Sequence, residues 1–173
     1  DIRRHVRIPL ILMGYLNPIL HYGFESFCQQ CVACGIDGII IPDLPFRDYE
    51  EHYKDIAQKY DLRIIMLITP ETSEARVREI DEHTDGFIYM VSSAATTGAQ
   101  KDFDSQKQAY FKKIQDMHLR NPRMVGFGIS NKQTFDAACA NSSGAIIGSR
   151  FVTLLNEAEG DAEKAITQLK ENV

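Results

Sequence analysis

Two glycine segments near the C-terminal end carry the chemistry that residue type and spacing suggest most directly. They are Gly126-Phe127-Gly128-Ile129-Ser130 and Gly144-Ala145-Ile146-Ile147-Gly148-Ser149-Arg150. Each closes an apolar, strand-like run and opens into a helical pattern. Glycine lets the main chain approach an anion closely, and a following helix N-terminus offers N–H groups that have no partner inside the helix. Either segment alone reads as a tight strand-to-helix turn. Placed one strand–helix unit apart, the two read as halves of a backbone cup for a phosphate group. Cysteines form the second candidate constellation. Cys28, Cys31 and Cys34 have the Cys-x-x-Cys-x-x-Cys spacing that ligates iron–sulfur clusters, with Cys139 as a remote fourth thiol. They lie, however, in an uninterrupted helical pattern from Phe24 to Cys34 that stops at Gly35. Steps of three put the thiols on one helix face with Phe24, Phe27 and Val32, where cysteine packs as a small apolar side chain. Core thiols are the expectation, and the five histidines have no metal-ligand spacing.

The elements that must position these residues alternate along the whole chain. Apolar runs at Ile8–Tyr15, Gly38–Ile41, Arg63–Ile68, Phe87–Val91, Met124–Phe127 and Ala145–Ile147 are each followed by an amphipathic stretch. Helices are expected from Phe24 to Cys34, Asp48 to Tyr60, after Ser73 to His83, Asp104 to Leu119, and from Phe151 with a break at Gly160. Asp48 and Ser73 are placed to cap theirs. Continuous apolar runs without period-two alternation belong to strands buried on both faces, as in a parallel sheet covered by helices. Nearly every run ends in a polar or glycine residue: Asn17, Asp43, Thr69, Ser92, Gly128, Ser130, Gly148 and Ser149. A TIM barrel gathers such strand ends into one mouth and holds phosphate at the loops after its seventh and eighth strands. The expected fold class is therefore α/β, a TIM (β/α)8 barrel. Counted from the C-terminus, the glycine segments are the seventh and eighth strand ends. By that count the first two βα units are absent, and residues 1–173 form one domain, the C-terminal three-quarters of a barrel.

Composition sets the outer limits. The chain has 173 residues, 44% of them hydrophobic and 25% charged, which is ordinary for a globular domain. A net charge of −5 with no basic tract speaks against nucleic acid. No apolar run has the length that crosses a bilayer. Reduced cysteines fit a cytoplasmic location.

Several segments, in order, resemble the tryptophan synthase alpha subunit family. They are Pro9-Leu10-Ile11-Leu12-Met13-Gly14-Tyr15-Leu16-Asn17-Pro18, Ile41-Pro42-Asp43-Leu44-Pro45, Thr69-Pro70, Tyr89-Met90-Val91-Ser92 through Thr97-Gly98, Gly126-Phe127-Gly128-Ile129-Ser130 and Gly148-Ser149. The resemblance implies a TIM-barrel lyase that cleaves indole-3-glycerol phosphate to indole and glyceraldehyde 3-phosphate by a retro-aldol reaction. It implies that Gly98, Gly128, Gly148 and Ser149 hold the phosphate. It implies too that Tyr15, Met13, Ile40, Leu67, Tyr89, Thr97 and Phe127 form the substrate pocket, with Ile40 and Leu67 also explicable as barrel filling. Residues 92–100 resemble the loop that closes over substrate, and Thr97 matches the threonine that meets the catalytic aspartate. Here Ala95-Thr96-Thr97-Gly98 stands where Gly-Val-Thr-Gly is usual, and Ser93 where an arginine is common. Asp43 and Pro45 match the loop that meets a beta subunit. No cofactor or metal is implied for this chain, because pyridoxal phosphate belongs to that beta partner.

Carbon–carbon cleavage needs one proton delivered to indole C3 and another removed from the glycerol hydroxyl, which is work for positioned carboxylates. The family's glutamate and aspartate belong to motifs not found in this sequence, so no catalytic residue is assigned and the chain alone is expected to be inactive. Open barrel edges are expected to favour self-association. Two other readings remain: a non-catalytic phosphate-binding partner subunit, and another phosphate-binding TIM-barrel enzyme. The latter would require a catalytic lysine or metal-binding His and Asp at strand ends.

Overall fold

A computed structural model describes residues 2–92, 100–126 and 128–173, with residues 100–104 described in backbone only. The chain divides into two units, Asp1–Leu67 with Glu74–Ile88 and Ile68–Ser73 with Tyr89–Val173.

In the first unit, three short apolar runs pair in parallel: β1 (Ile11–Met13), β2 (Gly38–Ile40) and β3 (Arg63–Ile65), in the order β1-β2-β3. Leu12 is opposite Ile39, and Ile39 is opposite Ile64. All three residues of β2 are buried, as a central strand covered on both faces requires. β1 departs from that expectation. It has one neighbour in the sheet order, and Leu12 and Met13 are 43% and 56% exposed. The run predicted from Ile8 to Tyr15 is also shorter, because α1 (Leu16–Tyr22) begins where the strand was expected to trail off at Asn17-Pro18. Pro18 sits in the first helical turn, where its missing N–H costs nothing.

Helix α2 (Phe24–Ala33) buries Phe24, Cys28 and Cys31, an i, i+4, i+7 stripe. Cys28 and Cys31 are core thiols as expected, whereas Cys34 is exposed. Helix geometry explains the difference: three residues turn through about 300°, so two such steps leave Cys34 roughly 120° from Cys28. The next helical stretch runs through α3 (Phe46–Asp48), a π-helical segment (Tyr49–Tyr53) and α4 (Lys54–Lys59). Its N-cap is Pro45, and the expected cap Asp48 lies within the first turn and makes no cap hydrogen bond. Glu50 in the π segment pairs with Lys54 at 2.8 Å and with His83, tying this stretch to α5 (Glu74–His83).

The predicted strand Arg63–Ile68 changes partners at Met66. Its first half is β3; its second, β4 (Leu67–Ile68), heads a four-stranded sheet in the order β4-β5-β6-β7. The others are β5 (Ile88–Val91), β6 (Arg123–Gly126) and β7 (Gly144–Ala145), and β6 and β7 pair in parallel. Helices α6 (Gln100–Asp116), α7 (Lys132–Cys139), α8 (Ser149–Glu157) and α9 (Ala162–Asn172) complete the second unit. The expected break near Gly160 is present. Glu159 and Gly160 take φ of 54° and 88°, after which Asp161 caps α9 by accepting from Lys164 N at 3.0 Å. Leu154, Ala158 and Ala165 then pack α8 on α9.

Candidate phosphate site and its surroundings

Three of the glycines in the two segments serve different purposes. At Gly126, the last residue of β6, the Tyr89 ring lies so close that an added Cβ would overlap its hydroxyl end. Tyr89 is 5% exposed, and burial pushes its hydroxyl pKa up. Gly126 is thus required by packing. Gly128 has φ of 77°, a left-handed conformation that a side chain disfavours, so it is required by the backbone. Gly148 is required by neither. Its φ is −111°, and no described atom lies within 4 Å of where its Cβ would be.

The helices that follow differ in the same sense. Asn131 and Thr134 close a reciprocal box on α7: Thr134 N donates to Asn131 Oδ1 at 2.9 Å, and Ser130 N and Asn131 N donate to Thr134 Oγ1 at 3.0 and 3.1 Å. Two backbone donors at the start of α7, Asn131 N and Thr134 N, are thus taken by its own side chains. On α8 the N-cap is Gly148, with no side-chain cap among the described residues, and Gly148 and Ser149 are both exposed. The start of α8 thus lies at a strand end with a glycine N-cap and two exposed residues, and an uncapped helix start attracts anions through hydrogen bonding and the helix dipole.

Beside the Gly128 turn, Ser92 follows β5 and donates its N–H to Gly126 O at 3.2 Å. A cavity of about 40 Å³ lies among Ser92, Lys107, Phe111, Gly128 and Thr134. Lys107 escaped sequence reasoning because it sits in a lysine- and glutamine-rich helix, where nothing in the pattern separates it from Lys112 or Lys113.

In the first unit, Met13 and Tyr15 are 56% and 68% exposed at the end of β1, with Tyr15 the N-cap of α1. Ile40 is buried at the end of β2, and Leu67 is half-buried in β4. Asp43 and Pro45 are exposed on either side of buried Leu44, and Asp43 Oδ1 accepts from Leu16 N at 2.9 Å. That bond satisfies one of the first donors of α1. Gly98, Thr97 and Phe127 lie outside the described residues. Among the described residues, no group of three or more His, Cys, Asp or Glu side chains could hold a metal ion. No described helix is long and apolar enough to cross a membrane.

Solved structures with this arrangement define the class. An alpha-subunit of tryptophan synthase from Pyrococcus furiosus superposes with a TM-score of 0.79 at 30% identity, covering 94% of this chain and 67% of that one. A mutant alpha-subunit from the same organism gives 0.83 at 30% identity, covering 98% and 68%. The tryptophan synthase complex from P. furiosus gives 0.78 at 28%, covering 94% and 66%. The fold class is α/β, a TIM barrel.

The family model for the tryptophan synthase alpha chain matches residues 1–173, and the chain belongs to that family. The alpha chain of Bacteroides fragilis is 77% identical over 170 residues, covering 98% of this chain and 64% of the relative. That of Bacteroides thetaiotaomicron is 74% identical over 171 residues, covering 99% and 66%. The chain thus spans slightly less than two thirds of the length of these relatives.

Proposed function

We propose that these residues are the phosphate-gripping part of a lyase that cleaves indole-3-glycerol phosphate to indole and glyceraldehyde 3-phosphate. The observation that carries the reading is the N-terminus of α8, where Gly148 is a glycine that neither packing nor backbone conformation demands and where no described side chain caps the helix. Membership of the alpha-chain family supports this choice of substrate. In this reading Gly98, Gly128, Gly148 and Ser149 hold the phosphate. Tyr15, Met13, Ile40, Leu67, Tyr89, Thr97 and Phe127 wall the indole.

The residues of this chain bind and orient rather than transfer protons. Asp43 is the acidic residue that follows the C-terminal end of a strand most closely in the first unit, and its carboxylate already accepts from Leu16 N. It serves the loop rather than the reaction. In this reading the 173-residue chain by itself binds the phosphate ester without releasing indole. Asp43 and Pro45, exposed on a loop anchored by Leu44, suit contact with a beta subunit that carries the pyridoxal phosphate. Exposed Leu12 and Met13 on the edge strand β1 suit pairing with a further strand, including that of a second copy. A cytoplasmic location fits free thiols at all four cysteines.

The test measures indole release from indole-3-glycerol phosphate by these residues within a chain of the relatives' length, and by the 173-residue chain. Release by the first and binding alone by the second is the expected result. No release by the longer chain would refute the lyase reading; release by the shorter at a comparable rate would refute the division of labour.

A further inference from the structure

The phosphate site as drawn so far is made of backbone alone, which leaves a doubly charged ligand without a formal positive charge. Lys107 lies seven residues into α6, and its Nζ stands beside the Gly128 turn. A Cβ built on Gly128 would be 3.7 Å from Lys107 Nζ and 3.9 Å from Ser92 Oγ. The same three residues border the cavity of about 40 Å³, together with Thr134 at the start of α7. Among its described lining residues, Lys107 alone carries a formal charge. Water occupies roughly 10–15 Å³ on this measure, so the cavity has room for about three molecules. Bridging water costs little relative to a direct hydrogen bond. The amine thus reaches an anion at Gly128 either directly or through one water.

We propose that Lys107 is a phosphate-binding residue, supplying the positive charge of the grip from behind the Gly128 turn. The inference rests on the phosphate reading given above and adds to it a positively charged side chain, which suits a phosphate monoester dianion. Three consequences follow. An ammonium is a compact point charge that attracts an anion without imposing a bidentate geometry, so Arg in its place retains much of the effect. The Gly128 turn has the left-handed backbone that glycine tolerates, and the open space on its Cβ side is where the amine stands. Lastly, the contribution is screened by salt, whereas the backbone N–H groups of α8 contribute through short hydrogen bonds.

The experiment compares the parent protein, Lys107→Met and Lys107→Arg, titrated calorimetrically with inorganic phosphate, glycerol 3-phosphate and indole. Lys107→Met is expected to weaken both phosphate ligands about tenfold, in line with loss of one charge-assisted contact, and to flatten their salt dependence. Indole affinity stays within twofold of the parent, and Lys107→Arg recovers most of the phosphate affinity. Equal loss of indole and phosphate affinity by Lys107→Met would show a merely structural lysine and overturn the proposal. So would phosphate affinity unchanged in Lys107→Met, with the phosphate reading left standing. A parent that binds neither phosphate ligand would remove both.

Discussion

Replacing Gly148 with alanine separates a glycine kept for the fold from one kept for a ligand. Its φ of −111° is open to any L-residue, and no described atom lies within 4 Å of the new methyl. Restricting the unfolded chain then favours the folded state by about 0.4–1 kcal/mol. Alanine is the poorer N-cap, and the loss relative to glycine is about 0.5–1 kcal/mol. The two effects oppose each other, so the folding free energy should move by less than about 0.5 kcal/mol. Ligand binding should respond very differently. A methyl on the exposed approach to the first N–H groups of α8 takes the place of an anion oxygen. Charged hydrogen bonds contribute about 1.5–3 kcal/mol each, and each 1.4 kcal/mol is about a factor of ten. Glycerol 3-phosphate should therefore bind about 10- to 100-fold more weakly. Gly126→Ala is the control in the opposite direction. Its methyl meets the buried Tyr89 ring, and overpacking of this kind costs about 1–3 kcal/mol. Urea unfolding gives the stabilities and calorimetric titration the affinities. An affinity unchanged in Gly148→Ala would refute the assignment of α8 as a phosphate anchor. A large loss of stability in that variant would show that the space beside Gly148 is not open.

Other expectations concern local stability and reactivity. Asp37 accepts from Leu10 N at 2.7 Å and pairs with Arg3, and these contacts, the backbone bond first, hold its carboxyl below the usual range. Because its folded-state pKa is depressed, its contribution is present above the unfolded value, about 3.9, and is lost as pH falls through the folded one. Asp37→Asn should lower the urea midpoint at pH 7, and the difference from the parent should shrink as pH falls below the unfolded value; parallel profiles would count against it. Asn131→Ala breaks the α7 capping box and should cost about 1 kcal/mol by chemical denaturation. A cost near zero would mean that water replaces the cap. Alkylation followed by mass spectrometry should label exposed Cys34 first. Cys28, whose thiol is pushed up to about 12 by burial, should react last and only on unfolding. Early labelling of Cys28 would contradict its place in the core.

Most elements were legible because their signals are local. The apolar run Gly38–Ile40, the break at Gly160 and the helical register of Cys28 and Cys31 each depend on neighbours within one turn or one strand. What was not legible depends on partners distant in sequence. Asn17-Pro18 reads as a strand end, yet Asp43 supplies a hydrogen bond to Leu16 N from 27 residues away and a helix starts there. Arg63–Ile68 reads as one strand, but its two halves belong to two different sheets. Cys34 reads as the third member of a stripe until the 60° drift of each three-residue step is counted. Lys107 is one lysine among several until Gly128 is found beside its amine.

The glycines show the limit most sharply. In the sequence Gly126, Gly128 and Gly148 are the same letter in the same kind of turn, and all three alike suggest a phosphate cup. Tyr89 accounts for the first and a φ of 77° for the second, so neither glycine by itself argues for a ligand. Of the three, only Gly148 lacks a reason within the described residues, and it stands at the helix start that has a glycine N-cap in place of a side-chain capping box. A motif of several glycines is therefore weaker evidence than its count suggests. The strength of the phosphate reading rests on the single position whose glycine the fold does not use.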